Sequence, residues 1–149
     1  MQDCDEREIT EFVREYAFLS NHYALPIRFD DALWPTVEHA FQAQRTLDAT
    51  ERDTIRRADS PGKAKRLARG FAHRDDWDSV KEDVMLALLR IKFADPEMRM
   101  LMIETGDRGL VEGNRPGDAY WGRSGGVGCN RLGQLLMQVR DELRARCPR

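Results

Sequence analysis

Two proline-marked helix starts, each closed by a glycine, constrain this chain more than any other feature. Ser60-Pro61 is followed by Gly70, and Asp95-Pro96 by Gly106. A serine or aspartate side chain accepts hydrogen bonds from the first unpaired N–H groups of a helix. Proline suits the first helical position, where its missing N–H costs nothing. A glycine just beyond the last turn ends the run. A third start, Pro35-Thr36, opens a helix whose apolar positions Val37, Ala40, Phe41 and Leu47 follow at roughly helical spacing.

The remaining pattern is also mostly helical. A highly charged helix is expected over about 51–58, and a long one from Trp77 to about Ala94 with Val80, Val84, Leu88 and Ile91 as its apolar stripe. The last runs from Asn130 to about Arg146 and turns Leu132, Leu135, Leu136, Val139 and Leu143 inward. Strands are few and short. Ile27–Phe29 and Ala32–Trp34 flank an Asp-Asp turn, Leu110-Val111 is another short strand, and "YAFLSN" reads as extended. No internal repeat or low-complexity linker divides the chain. The expected class is α+β, predominantly α-helical: one domain over residues 1–149, with 1–15 as an acidic lead-in.

Composition narrows the function classes. A length of 149 residues, 41% of them hydrophobic, suffices for one core without staples. The apolar runs sit inside amphipathic patterns, and no signal peptide precedes the acidic N-terminus, so no membrane association is expected. Cys4, Cys129 and Cys147 are odd in number and far apart, which points to a reduced, cytoplasmic setting and away from structural zinc. His22, His39 and His73 lack ligand spacing, so neither a metal nor a cofactor is expected.

The net charge of −2 hides an uneven distribution. The first fifteen residues carry six acids and two arginines, whereas Arg56 to Arg74 holds seven Lys or Arg and one acid, Asp59. That block is either a solvated helix face or a surface that meets phosphates.

Three stretches offer chemistry. In "WPTVEHAFQAQR", Glu38 falls in the first turn of its helix with His39, Gln42, Gln44 and Arg45 around it. It either complements the helix dipole or does chemistry. In "GDAYWGRSGGVGCNRLG", four glycines (122, 125, 126 and 128) precede an Asn130 cap, so free N–H groups at a helix N-terminus would suit a phosphate. No Gly-Lys-Ser/Thr follows, and no long strand precedes. A tight connection is the plain alternative, but Asp118, Tyr120 and Trp121 just upstream suit a site for an aromatic ring. In "SPGKAKRLARG", Lys65 lies between Ala64 and Ala68. It is either an exposed helix lysine or a partly buried amine, and burial favours the nucleophilic free form.

These stretches carry a family resemblance. "FLSNHYALPIRFDDALWPTVEHAFQAQR", "SPGKAKRLARG", "DDWDSVKEDVMLALLRIKF" and "LVEGNRPGDAYWGRSGGVGCNRLGQLLMQVR" occur in the order seen in the NADAR, or YbiA-like, family, from about Phe18 to Leu143. The resemblance implies a compact, largely helical α+β domain with N-glycosidase activity on ribosylated bases. Two substrate classes are associated with it: phosphoribosylamino-pyrimidine intermediates of riboflavin synthesis, and ADP-ribosylated guanine in nucleic acid. It also implies a functional pairing with an ADP-ribosyltransferase. Two positions depart from the family pattern: His22, followed by Tyr23, after Ser-Asn, and Arg123 after Trp-Gly.

Cleaving a C–N bond at the anomeric carbon builds positive charge on the sugar and negative charge on the departing base. Glu38 is the expected carboxylate near the sugar, where it stabilises that charge or activates water. Asp118 is the expected second carboxylate, gripping a base N–H or protonating the leaving group. Lys65 has the chemistry for a Schiff base with ring-opened ribose. Trp77 and Trp121 either stack on the base or pack in the core. The resemblance extends the substrate-binding set to Phe18, Ser20, Asn21, His39, Tyr120, Gly122, Asn130 and Arg131. The basic block tips the expected substrate slightly towards ADP-ribosylated guanine. A non-catalytic ADP-ribose or NAD module is the alternative from another class.

Overall fold

The computed structural model describes residues 7–113 and 118–146. The first six positions of the acidic lead-in, Cys4, Gly117 and Cys147 lie outside the described residues. In chain order the elements are β1 (Glu8–Ile9), a 3-10 helix (Arg14–Leu19), β2 (Ile27–Phe29), β3 (Ala32–Trp34), α1 (Val37–Ala43), α2 (Ala49–Arg56) and α3 (Pro61–Arg69). They continue with α4 (Trp77–Lys92), α5 (Pro96–Glu104), β4 (Gly109–Leu110) and α6 (Arg131–Ala145). The class is α+β, predominantly helical. Contacts divide the chain into two compact units, one over residues 21–92 and one built from the segments up to 20 and from 93 onward.

In the 21–92 unit, β2 and β3 pair antiparallel with Ile27 opposite Trp34 and Phe29 opposite Ala32. The turn between them holds Asp30 and Asp31 at φ 51° and 60°. Aspartate tolerates this left-handed region better than most side chains, and the turn's twist matches that of the paired strands. Each following helix has its own polar start. Thr36 accepts from the His39 N–H, Asp48 from the Glu51 N–H and Ser60 from the Lys63 N–H, with Pro61 at the opening of α3. All of α1 is buried, and it packs against α2, α3 and α4. Ala40, Ala43, Ala64 and Ala68 are buried alanines, and small side chains let helix axes approach closely.

Two expected patterns shift here. Helix α1 stops at Ala43 instead of reaching Leu47, which is 69% exposed. The N–H groups of Arg45 and Thr46 turn back to Gln42 and Ala43, tightening the chain before Asp48 starts α2. On α4 the buried side is Trp77, Met85, Leu88, Leu89 and Lys92; Val80 and Val84 are half-buried and Ile91 is exposed. Of the expected stripe Leu88 is fully buried, while a charged residue, Lys92, shares the packed face.

The other unit is organised by β1 and β4, which pair in parallel with Ile9 beside Leu110. Strand β1 lies within the acidic lead-in. Isolated, two residues carry too little pattern to announce one, and the pairing depends on a partner about a hundred positions away. "YAFLSN" is not extended either: residues 14–19 form the 3-10 helix, with Phe18 and Leu19 buried and Phe18 edge-on to Phe93 at 6.4 Å. Helix α6 packs on β4 and α5, and its five expected apolar residues are buried. Among the described residues no helix is long and apolar enough to cross a membrane.

Candidate active site

Glu38 is 5% exposed and sits in the first turn of α1. Its N–H donates to the Asn21 carbonyl at 3.1 Å, and its Oε1 accepts from Gln42 Nε2 at 2.8 Å. Gln42 Oε1 in turn accepts from Arg45 Nη1 at 3.0 Å. Residues 38, 42 and 45 share one helix face, which is why their side chains meet. The line continues off α1. Arg45 Nη2 is 3.4 Å from His73 Nδ1, and the guanidinium lies 5.9 Å from the Trp77 ring centre. Trp77 packs against Phe41 at 5.1 Å. Among the described residues, no hydrogen bond is made to the second Glu38 oxygen, Oε2.

The charges along this line are strained. Burial, with Arg69 beside it, holds the Arg45 guanidinium below the usual arginine range; Glu38 and Asp78 act in the opposite direction. Burial and then Arg45 hold the His73 imidazole below the usual histidine range. Arg45 Nε and Asn21 Oδ1 are buried and make no hydrogen bond among the described residues. Leaving such groups unmatched typically costs about 1–3 kcal/mol.

Several expected site residues are used differently. Both ring nitrogens of His39 are occupied inside the protein, Nδ1 by Thr36 Oγ1 at 2.8 Å and Nε2 by the Ala58 carbonyl at 3.0 Å. A carbonyl only accepts, so Nε2 carries the proton, and His39 braces the start of α1 instead of meeting a substrate. Trp77 takes the core alternative. Lys65 is half-buried on α3, flanked by the buried Ala64 and Ala68, as its small neighbours allow. Asn21 is 7% exposed and spends Nδ2 on Met85 Sδ at 3.5 Å.

The second set of candidates belongs to the other unit. Tyr120 and Trp121 are half-buried and meet edge-to-face at 4.9 Å. Asp118 Oδ1 accepts from the Trp121 N–H at 3.0 Å, which fixes that turn. Phe18 is core, Ser20 is half-buried, and Arg131 Nη1 donates to Gln134. The glycine-rich loop spends many of its N–H groups, and the first ones of α6, on the protein itself. Those of Arg123, Ser124, Val127, Cys129, Asn130, Arg131 and Leu132 are all donated to carbonyls of the loop and its surroundings. Asn130 is no side-chain cap. It sits in the left-handed region at φ 50°, and its side chain bridges the Leu110 carbonyl and the Glu112 N–H. A Cβ on Gly122 would lie 2.1 Å from the Glu112 oxygen, so this glycine is required by close packing.

Sequence reasoning noticed Gln42 and Arg45 but gave them no role; their i+4 and i+7 offsets from Glu38 were the available signal. Lys92 was missed altogether. It is 1% exposed, 5.6 Å from the Tyr23 ring centre, and burial pushes its pKa down to about 7. A lone lysine in an apolar run carries no sequence sign of such burial.

Glu38 is thus a buried helix-borne carboxylate joined through Gln42 to Arg45, and comparison with known proteins gives the class of the chain. The NADAR domain model matches residues 6–144. The N-glycosidase YbiA of Escherichia coli is 47% identical over 133 residues, covering 87% of this chain and 82% of that protein. A riboflavin biosynthesis protein of Vibrio vulnificus is 36% identical over 137 residues, covering 89% of this chain but 37% of that protein. The NMR structure of Escherichia coli YbiA superposes with a TM-score of 0.84 at 42% identity, covering 97% of this chain and 90% of that one. The chain belongs to the NADAR family. Its enzyme class is that of a hydrolase acting on N-glycosyl bonds.

Proposed function

We propose that the enzyme hydrolyses the C–N bond between a phosphorylated ribose and a base, with ADP-ribosylated guanine in nucleic acid as its substrate. The observation that carries the reading is Glu38: buried, held by Gln42 through Oε1, and left with Oε2 for a reacting group. As the C–N bond lengthens, its electron pair goes to the base nitrogen and positive charge grows on the sugar. Glu38 stabilises that charge and takes a proton from the water whose oxygen bonds to the anomeric carbon. The base nitrogen gains a proton as it leaves, so ADP-ribose and the unmodified guanine of the nucleic acid are the products.

Support for the nucleic-acid substrate comes from α3, where Lys65, Arg66 and Arg69 have no acidic partner among the described residues. A specific observation favours the second reading, a phosphoribosylamino-pyrimidine. Arg56 and Arg57 pair with Asp53, Lys63 with Asp59 and Arg74 with Asp76, which neutralises much of the basic block. The Vibrio vulnificus relative's name points the same way. Incubation with guanine-ADP-ribosylated DNA and with the pyrimidine intermediate, side by side, tests both. Release of ADP-ribose from the DNA supports the first; turnover of the pyrimidine alone replaces it with the second; turnover of neither removes the reading.

A covalent route through Lys65 is separated from direct water attack by borohydride. In that route the lysine amine displaces the base at the ring-opened sugar to give an imine, which water then hydrolyses. Borohydride added during turnover should trap a ribosyl adduct on Lys65, absent in Lys65→Ala and retained in Lys63→Ala. Active enzyme without a trapped lysine by mass spectrometry assigns the step to water and Glu38.

A further inference from the structure

We propose that Arg45, Arg69 and His73 form the seat for the phosphate of the ribosyl substrate, at the far end of the side-chain line that begins at Glu38. This rests on the reading of the protein as a hydrolase of ribosyl–base bonds, and it assigns a part of the substrate to groups that reading leaves unused.

The first support is a pair of like charges without a direct counter-charge. Arg69 lies close enough to Arg45 to act on its charge, yet neither forms an ion pair among the described residues. Other cations nearby do have carboxylate partners, Arg74 with Asp76 at 2.5 Å and Lys63 with Asp59 at 3.6 Å. Arg45 instead spends its two terminal nitrogens on neutral groups, Gln42 Oε1 and His73 Nδ1, and buries Nε without an acceptor. Arg45 is held by neutral partners while the charge of Arg69 acts on it, and an anion with several oxygens, such as a phosphate, suits such a guanidinium through forked hydrogen bonds.

The second support is that the seat is built. The Trp77 ring lies under the Arg45 guanidinium, and the Arg74 N–H donates to the Arg45 carbonyl at 2.8 Å, which ties the His73 loop to the end of α1. The third is placement. Only the Gln42 side chain stands between the Glu38 carboxylate and Arg45. A ribose with its anomeric carbon at Glu38 directs its 5′-phosphate along α1 towards Arg45. Both substrates considered above carry that phosphate, free in one and within a diphosphate in the other.

The test is calorimetric titration of the intact protein with ribose 5-phosphate and with ribose, so it needs no turnover. Ribose 5-phosphate should bind at least ~10-fold tighter than ribose, the scale of one charge-assisted contact. Arg69→Ala should remove most of that difference and leave ribose binding unchanged, whereas Arg66→Ala, three positions earlier on α3, should retain it. A second readout follows His73 by NMR. Arg45 and Asp78 are the charged groups acting on its imidazole, with opposite sign, and a phosphate dianion beside it should move its titration to higher pH, as ribose should not. Equal binding of the two sugars, equal losses in Arg69→Ala and Arg66→Ala, no binding at millimolar ligand, or an unmoved His73 titration would each overturn the seat. Turnover by the wild-type enzyme separates the two ideas. Phosphate-dependent binding retained by an enzyme with no glycosidase turnover keeps the seat and removes the reaction; turnover without phosphate preference does the reverse.

Discussion

Helix α1 and the loop over residues 122–130 both look, in sequence, like places to hold an anionic ligand, and the structure treats them in opposite ways. The loop closes on itself. Seven N–H groups between Arg123 and Leu132 are donated to nearby carbonyls, and Gly122 and Gly128 allow backbones to touch. Helix α1 keeps a side-chain line open, from Glu38 through Gln42 to Arg45, with a carboxylate oxygen and a guanidinium nitrogen unmatched among the described residues. Glycine content reports backbone freedom, which a fold can spend on ligands or on itself. Buried, unmatched side-chain groups differ from glycines in that folding gains nothing from leaving them unmatched.

The sharpest test of this contrast is Gly122→Ala. The added Cβ would meet the Glu112 oxygen at 2.1 Å, and a backbone atom cannot swing aside as a flexible side chain would. Overpacking of this kind should lower unfolding free energy by ~3 kcal/mol or more, read from urea denaturation. A stable, inactive Gly122→Ala protein would return the loop to the ligand.

Glu38→Gln should do the opposite, leaving stability near wild type and lowering turnover by at least ~100-fold, or ~2.7 kcal/mol in barrier. The amide oxygen can still accept from Gln42, so the line of hydrogen bonds survives and only the charge is lost. Near-normal turnover in the folded variant would reduce Glu38 to a helix-start residue.

Lys92→Met sharpens the comparison from a third position, a buried charge belonging to neither feature. Burial lowers the Lys92 pKa from 10.5 to about 7, so between those values the unfolded chain holds a proton that the folded one has released. Stability therefore rises with pH through this window, by up to ~1.4 kcal/mol per unit, and the full cost of the buried ammonium is present below about pH 7. The methionine variant should flatten that rise, as read from denaturation midpoints between pH 7 and 10. Parallel curves for the two proteins would show that Lys92 does not titrate there.

The smallest effect is expected at Gly125→Ala. Nothing lies within 4 Å of the added Cβ, and only the φ of +59° opposes it. A loss of ~1 kcal/mol with unchanged turnover fits a loop that serves the fold.

Much of the fold was legible because its signals are local. Thr36, Ser60-Pro61, Asp95-Pro96 and the Asp30-Asp31 turn each act within a few residues, and all appear where the sequence put them. The β1–β4 pairing, the 3-10 helix at Arg14–Leu19 and the buried face of α4 were not legible. Each depends on what the segment packs against. The same division runs through the candidate site. Residue type and family resemblance single out Glu38 and Lys65, while His39 and Trp77, candidates for substrate contact, are committed to Ala58 and Phe41.

The sequence by itself determined the helical class, the starts and stops of most helices, the family and the carboxylate on α1, because capping, periodicity and motif order are properties of neighbouring residues. Only the tertiary structure decided which polar groups are spent on the protein and which are left over. That distinction depends on burial and on partners far along the chain: Ala58 for His39, Leu110 and Glu112 for Asn130, and Arg69 and His73 for Arg45.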